Sequence, residues 1–315
     1  MMRIRFLSIL LPVVLLGCTL RHPSSAAEAS GSPSEAEGTF GVLLMAHGGP
    51  PEWNRGVLDA VKPLQGDHAI EVAFGMADAA SIQEAVGALE ARGVRKIGVV
   101  RLFVSGESWY DRTERILGLQ PGAPVRKTTR PQGHGEGHGG RRHRMEFWRI
   151  RTRASFSLTR QGLVEAEAMG TVLADRARAL SRAPEKEDLL ILAHGPGDDA
   201  ENRRWIADLE ARAAVVRESL PFRRIRVETL REDWPDKRKD AERRIRAFVK
   251  RAEDEGGTAI VIPFRVHGFG PYAKVLEGLD YVSDGKGLIP HPKVTEWIAG
   301  RIRALRKGSF RKPVD

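Results

Sequence analysis

Two histidines stand at corresponding points of the chain, each directly after an apolar run and each followed by glycine. The first, His47, lies in LLMAHGGP (43–50), and the second, His194, lies in LILAHGPG (190–197). Imidazole can bind a metal ion or transfer a proton near neutral pH, so a histidine at the tip of a strand can do chemistry. The glycine lets a ligand approach the backbone, and a helix that starts next offers free N–H groups to an anion. The structural alternative is a histidine that hydrogen-bonds only to its own loop.

A second possible ligand follows the third apolar run of each half. RLFVSGES carries Glu107 after that run, and PFRVHGFG carries His267. When the halves are aligned through the tyrosines that follow, Ser105 matches His267, so the two candidate ligands lie two positions apart. Imidazole with a carboxylate suits iron, cobalt, nickel or zinc at an open site. We therefore predict that His47 acts with Glu107. In the other half, we predict that His194 acts with His267. The alternative for Glu107 is a carboxylate that caps the next helix.

The elements around these residues repeat. Apolar runs typical of buried strands alternate with longer amphipathic segments typical of helices, and this order occurs twice. The predicted strands are 41–46, 69–74, 96–104, 188–193, 224–230 and 256–266. The predicted helices are 52–64, 78–92, 110–117, 163–180, 199–218 and 237–253. Strands that alternate with helices pair in parallel, so we predict an α/β fold of two duplicated lobes, at 39–155 and 156–315. Ligands of such sheets bind beyond the carboxyl ends of the strands, where the four candidate ligands lie.

The composition is that of a folded protein with a basic balance. The 315 residues carry a formal net charge of +10, and 41% of them are hydrophobic. Much of the surplus is arginine, which suits carboxylates and phosphates, although a solvated basic surface is the alternative. The sequence contains no helix-turn-helix signature, no phosphate-binding loop of the P-loop kind and no zinc-finger cysteines. Nucleic acid is therefore disfavoured as a partner, and an anionic membrane surface and an acidic small molecule both remain open.

The N-terminus has the pattern of a lipoprotein signal. Arginines precede an apolar stretch at 6–16, which is too short to span a membrane and ends in LLGC. The cysteine of that motif, Cys18, is the only one in the chain. We predict a signal peptide at 1–18, lipidation of Cys18 and a flexible tether at 19–38, because the segment after the cysteine is small, polar and interrupted by proline and glycine.

A Gly- and His-rich stretch, 130–144, lies late in the first lobe and has no apolar periodicity. It contains His134, His138 and His143, and histidine-rich tracts often bind metals. We predict either an auxiliary, weak metal-collecting loop or a solvated linker, since the neighbouring arginines repel cations.

The ordered set of motifs resembles a known family. The duplicated apolar-AHG strand ends, the LFVSGES and RILGL segments and the closing LIPHPKVTEWI (288–298) are similar to the class II tetrapyrrole chelatases, with the sirohydrochlorin cobaltochelatase (CbiX-type) family as the nearest kind and ferrochelatase more distant. The similarity covers residues 40–305. The resemblance implies a lyase that inserts a divalent metal into a tetrapyrrole without ATP or an organic cofactor. It also implies two flavodoxin-like lobes with a cleft between them.

The resemblance also implies roles for particular residues. Family active-site histidines follow the first and third strands, and the first position falls on His47 and His194. Relatives often read SSHS where this chain reads SGES, so Glu107 stands in place of a histidine. The implied metal is Co²⁺, with Ni²⁺ or Fe²⁺ as alternatives.

A tetrapyrrole carries carboxylates on its rim, which arginines can bind. We predict Arg101, Arg112 and Arg265 as the substrate-binding arginines. Because both lobes belong to one chain, we expect a monomer.

The exported N-terminus conflicts with cobalt insertion in corrinoid synthesis, which is a cytosolic step in the family. Three interpretations remain open. The protein is a lipid-anchored chelatase on the periplasmic side of a bacterial envelope, a non-catalytic metal- or haem-binding lipoprotein with the chelatase fold, or a cytoplasmic enzyme whose signal is misread.

Overall fold

The computed structural model of the protein describes residues 39–126 and 145–314. In this part of the chain, the first lobe has a parallel sheet with strand order β2-β1-β3-β4. Its strands are β1 (Thr39–Ala46), β2 (Ala69–Phe74), β3 (Val94–Leu102) and β4 (Ser155–Leu158). The second lobe has a parallel sheet in the order β6-β5-β7. Its strands are β5 (Glu187–Ala193), β6 (Arg224–Thr229) and β7 (Thr258–Phe264).

Six of the eight α-helices in the described residues correspond to helices that the sequence predicts, and the last two, after β7, are not predicted. The helices are α1 (Pro51–Val61), α2 (Ala79–Ala91), α3 (Tyr110–Ile116), α4 (Ala168–Leu180), α5 (Asp199–Ser219), α6 (Pro235–Asp254), α7 (Tyr272–Val275) and α8 (Pro292–Arg306). Asp78 and Asp198 cap α2 and α5 by accepting backbone N–H groups with their side chains, as expected for aspartate at this position. The helix predicted from 163 begins only at Ala168, because Leu163 and Val164 first donate backbone hydrogen bonds to the segment that follows β3.

The two sheets have the same internal register, which confirms the duplication. In each lobe the first strand is central and pairs with the second and third strands. Met45 of β1 pairs with Arg101, and Leu192 of β5 pairs with Pro263. The structure therefore matches Arg101 to Pro263, as the sequence alignment does, and the fold is α/β with two flavodoxin-like lobes.

The lobes share a core. One buried apolar cluster contains Leu44 and Ile191 from the two sheets, together with Leu173 of α4 and Ile298 of α8. Strands β1 and β5 are apolar along most of their length because both faces of a parallel sheet are covered. None of the helices in the described ranges combines the length and hydropathy that a membrane crossing needs.

The chain returns to the first lobe at its end. Helix α8 contacts α1, β3 and β4, and Arg311 bridges to Phe156 of β4. Strand β4 itself extends the first sheet to Leu158, past the predicted lobe boundary at 155. The C-terminal segment thus holds the two lobes together.

Candidate functional site

A cavity of about 590 Å³ lies between the lobes, at the carboxyl ends of the strands. Its size is in the range of small-molecule sites. The four predicted ligands all line it, namely His47, Glu107, His194 and His267. The structure therefore brings the strand ends of both lobes to one hollow.

The loop after each histidine fixes the orientation of the ring. Nδ1 of His47 lies 2.8 Å from the carbonyl oxygen of Gly48, and Nδ1 of His194 lies 2.7 Å from that of Gly195. A carbonyl oxygen only accepts, so Nδ1 carries the proton and Nε2 of the neutral ring keeps its lone pair. Both glycines have φ near the left-handed region, at +78° and +77°, which a residue with a side chain adopts with strain. The hydrogen bond from Nδ1 to the carbonyl of the next glycine thus leaves Nε2 of each ring available for chemistry.

In the second lobe, carboxylates face that available nitrogen. Nε2 of His194 lies 3.1 Å from Oδ2 of Asp233 and 3.8 Å from Oε2 of Glu232. Both acids follow β6, in a turn where the backbone N–H of Arg231 donates to the oxygen of His194. Nε2 of His194 and Oδ2 of Asp233 both carry lone pairs, so at this distance they repel each other unless a proton or a metal ion lies between them. The pair is therefore suited to hold a proton or a metal ion. Sequence reasoning missed these acids because it considered only the ends of the first and third strands; the LREDW segment directly after β6 was the available signal.

The described residues of the first lobe contain no equivalent pair. In the part of the chain that the structure describes, no carboxylate lies within ion-pair distance of His47. Its ring instead lies 6.3 Å from the ring of Trp53, and Trp53 lies 6.4 Å from the ring of His267.

Glu107 contacts the other lobe rather than His47. Its two carboxylate oxygens accept hydrogen bonds from Nε and Nη2 of Arg204 on α5, at 2.7 and 2.6 Å. These hydrogen bonds, more than any other contact, hold the pKa of Glu107 below its ordinary value. The prediction that His47 and Glu107 act together needs this correction: Glu107 could bind a metal only after the ion pair opened.

His267 packs onto the first lobe. A Cβ built on Gly56 of α1 would lie 2.5 Å from Cδ2 of His267. Burial lowers the pKa of His267, which favours the neutral ring. Its ring thus faces α1, while Nε2 of His194 faces Asp233. Within residues 39–126 and 145–314, no three His, Cys, Asp or Glu side chains converge into a metal site.

Arg101 does not contact the cavity, contrary to the prediction. It is 1% exposed, and burial lowers its pKa to about 10. Its guanidinium donates to the backbone oxygens of Gly106, Ser108 and Thr159 and lies over the ring of Tyr110. Arg101 therefore supports the loop that carries Glu107 and is not part of the cavity lining.

The other two predicted arginines differ from each other. Arg112 donates to the backbone oxygens of Ala77 and Glu146 and does not line the cavity. Arg265 lines the cavity but forms an ion pair with Glu232. The remaining predicted residues, Cys18, His134, His138 and His143, lie outside the described residues.

Tryptophans form much of the cavity wall, which sequence reasoning missed. Four of the six tryptophans in the chain line the cavity, namely Trp53, Trp109, Trp205 and Trp234. The ring of Trp234 stands at 87° to that of His194, with centroids 6.2 Å apart. Flat aromatic side chains suit a planar aromatic ligand. The low overall aromatic content concealed this concentration.

The fold and cavity define a two-lobed α/β protein whose strand-end histidines face a common ligand site. Sirohydrochlorin cobaltochelatase of Methanothermobacter thermautotrophicus is 33% identical over 96 residues, which cover 29% of this chain and 67% of that protein. The chain belongs to the class II chelatases, the family of the sirohydrochlorin cobaltochelatases. No family model matches the sequence.

Solved structures show the same fold at low identity. The chain is 13% identical to SirB from Bacillus subtilis with Fe³⁺, with a TM-score of 0.58, covering 85% of this chain and 96% of that one. It is 12% identical to the sirohydrochlorin chelatase SirB from Bacillus subtilis subspecies spizizenii in complex with cobalt, with a TM-score of 0.53, covering 84% and 94%. A multi-domain protein of Deinococcus radiodurans with structural similarity to chelatases is 20% identical, with a TM-score of 0.48. This chain spans 56% of its length.

Proposed function

We propose that this protein inserts a divalent metal ion into a tetrapyrrole held between the lobes. The observation that carries the proposal is the pair formed by Nε2 of His194 and Oδ2 of Asp233, 3.1 Å apart in a tryptophan-lined cavity. Membership in the chelatase family supports the reaction class.

The chemistry requires a base and an exchangeable metal site. Two pyrrole N–H protons must leave the macrocycle, and the metal must lose its waters. Nε2 of His194 can bind the metal or accept a proton, and Asp233, which is 71% exposed, can pass protons to solvent. The hydrogen bond from Nδ1 to Gly195 keeps the ring in the required tautomer.

A site that transfers its metal needs few protein ligands. Because the four ring nitrogens become the final ligands, a histidine and a carboxylate are enough to deliver the ion. Imidazole with carboxylate suits Co²⁺ as the first candidate metal substrate, with Ni²⁺ and Fe²⁺ as alternatives. The name of the curated relative supports cobalt, and sirohydrochlorin is the first macrocycle to test on the same ground.

The second lobe is the better candidate for this work. His47 lacks a carboxylate partner among the described residues, and Glu107 is held by Arg204. His47 and His267 line the same cavity and are further candidate contacts for the macrocycle.

The experiment measures metal insertion by the full-length protein. Absorbance spectra follow the incorporation of Co²⁺, Ni²⁺ or Fe²⁺ into sirohydrochlorin and into porphyrins, against the spontaneous rate. The double variant His194→Ala/Asp233→Asn is the control and should return the rate to the spontaneous level. The absence of acceleration with every metal and every ring would contradict the proposal.

A non-catalytic role is the second candidate. The ion pair with Arg204 favours it, because it occupies Glu107, which stands after the third strand where the family resemblance implies an active-site histidine. It expects stoichiometric capture of a metal or tetrapyrrole in calorimetry without turnover, whereas catalytic metal insertion would exclude it.

We also propose that Cys18 anchors the protein to the envelope, as the N-terminal motif supports. Expressed in bacteria, the protein should partition with membranes, and Cys18→Ser should release it. Recovery of both forms in the soluble cytoplasmic fraction would instead support a cytoplasmic enzyme.

A further inference from the structure

The cavity is acidic although the chain is basic. Four carboxylates line it, namely Glu107, Asp198, Glu201 and Asp233. Among the described lining residues, Arg265 is the single arginine, and no lysine lines the cavity. The positive excess of the chain therefore comes from residues outside the cavity lining.

The cations near the cavity already have carboxylate partners. Arg265 pairs with Glu232. Arg204 gives both of its hydrogen bonds to Glu107, and Arg231 donates to Asp199. A carboxylate of a ligand would have to compete with these ion pairs for an arginine.

The helix N-terminus beside His194 is also occupied by a carboxylate. Asp198 accepts the backbone N–H of Glu201 at the start of α5. In front of α1, the side chain of Asn54 accepts the backbone N–H of Gly49, which precedes the helix. The positive end of α5 therefore does not offer the anion site that the sequence predicts there.

The negative charge of one lining carboxylate also acts on a second, half-buried carboxylate of the cavity wall. Glu201 is half-buried, and its pKa is raised by burial first and by the charge of Glu107 next. The apolar lining contains the four tryptophans together with Met76, Phe103, Val104, Pro196 and Val266.

We infer that the cavity selects planar tetrapyrroles that carry few carboxylates and disfavours polycarboxylate rings such as sirohydrochlorin and uroporphyrin. The inference rests on the proposed function and names the substrate class of the same cavity. The tryptophan faces bind the ring, and the lining carboxylates repel each additional acid on its rim.

Binding of metal-free porphyrins to the full-length protein tests the inference. Uroporphyrin, coproporphyrin and deuteroporphyrin share one aromatic ring and carry progressively fewer carboxylates. Quenching of tryptophan fluorescence at low ionic strength gives each Kd. We expect deuteroporphyrin to bind at least about tenfold more tightly than uroporphyrin, and we expect added salt to reduce the difference.

A matched pair of variants on α5 assigns the selection to the cavity. Glu201→Gln removes a lining charge and should tighten uroporphyrin binding several-fold while changing deuteroporphyrin binding little. Glu210→Gln removes an exposed charge that pairs with Arg217 on the same helix and should change neither. Thermal unfolding checks that both variants fold.

The results distinguish this inference from the proposed function. Uroporphyrin or sirohydrochlorin binding as tightly as deuteroporphyrin, or equal effects of the two variants, would overturn the selection for few carboxylates. Metal insertion into such a polycarboxylate ring would leave the proposed function standing. If no tetrapyrrole binds, both fail.

Discussion

The two lobes have one topology and different chemistry. Each places a histidine after its central strand and fixes Nδ1 by the carbonyl of the next glycine. The difference arises one strand away. By register, Asp78 lies four residues after the residue paired with Ala46, and Asp233 lies four residues after the residue paired with Ala193.

The same residue type in the same register has two different roles. Asp78 caps α2, which begins at the next residue, so its carboxylate accepts from the backbone of Ser81. Helix α6 begins one residue later relative to Asp233, with Trp234 at its N-cap position, and Asp233 turns to His194. The comparison teaches that a shift of one residue in where a helix starts decides whether an aspartate stabilises the fold or faces the ligand.

The largest expected effect separates the two histidines. His194→Ala should slow metal insertion about 100-fold or more, since it removes the base and metal ligand. His47→Ala, its matched control, should lower the rate by less than about tenfold. Initial rates of Co²⁺ incorporation measure both effects. A larger loss of rate in His47→Ala than in His194→Ala would assign the chemistry to the first lobe instead.

Variants of Asp233 and Asp78 should affect different properties: the first the rate of metal insertion, the second the stability of the fold. Asp233→Asn should slow insertion about tenfold, as the loss of a proton-transfer partner, with little change in unfolding. Asp78→Ala should lower the free energy of unfolding by about 1 kcal/mol, because a helix cap is lost, and should leave the rate intact. Rates and urea unfolding of both variants test this, and similar profiles for the two would remove the distinction.

The contact between the lobes at His267 can be tested through Gly56. In Gly56→Ala, the new methyl group would lie 2.5 Å from the ring, so we expect a loss of about 1–3 kcal/mol in unfolding free energy. Gly87→Ala in α2 meets no atom within 4 Å and should instead stabilise by about 0.5–1 kcal/mol. If Gly56→Ala were equally stabilising, His267 would not pack as described.

The smallest effect concerns the ion pair between Glu107 and Arg204. Because the pKa of Glu107 is lowered in the folded protein, its contribution to stability is present above the ordinary pKa and is lost as the pH falls through the lowered value. Arg204→Ala should be slightly less stable than wild type at neutral pH and equal to it in acid. The pair is half-exposed, so the difference is small.

A double-mutant cycle controls this measurement. Adding Glu107→Gln to Arg204→Ala should cost nothing further at neutral pH if the pair accounts for the effect. A stability difference that persists unchanged in acid would assign it to packing of the arginine instead.

Local sequence patterns were sufficient to predict most strands and helices and the position of the histidines. Apolar runs and amphipathic periods depend on local chain geometry, so strands such as 69–74 are predicted to the residue. The repeat of the AHG motif placed His47 and His194 after the central strands, because duplicated sequences adopt the same register.

Only the tertiary structure decided the partners of these residues. Glu107 meets Arg204, 97 residues away, and Arg101 is buried under a loop instead of facing the cavity. The four tryptophans lie far apart in the chain and meet only where the lobes close. Side-chain partners across a cleft depend on how two independently patterned lobes pack together, and local sequence periodicity does not encode that packing.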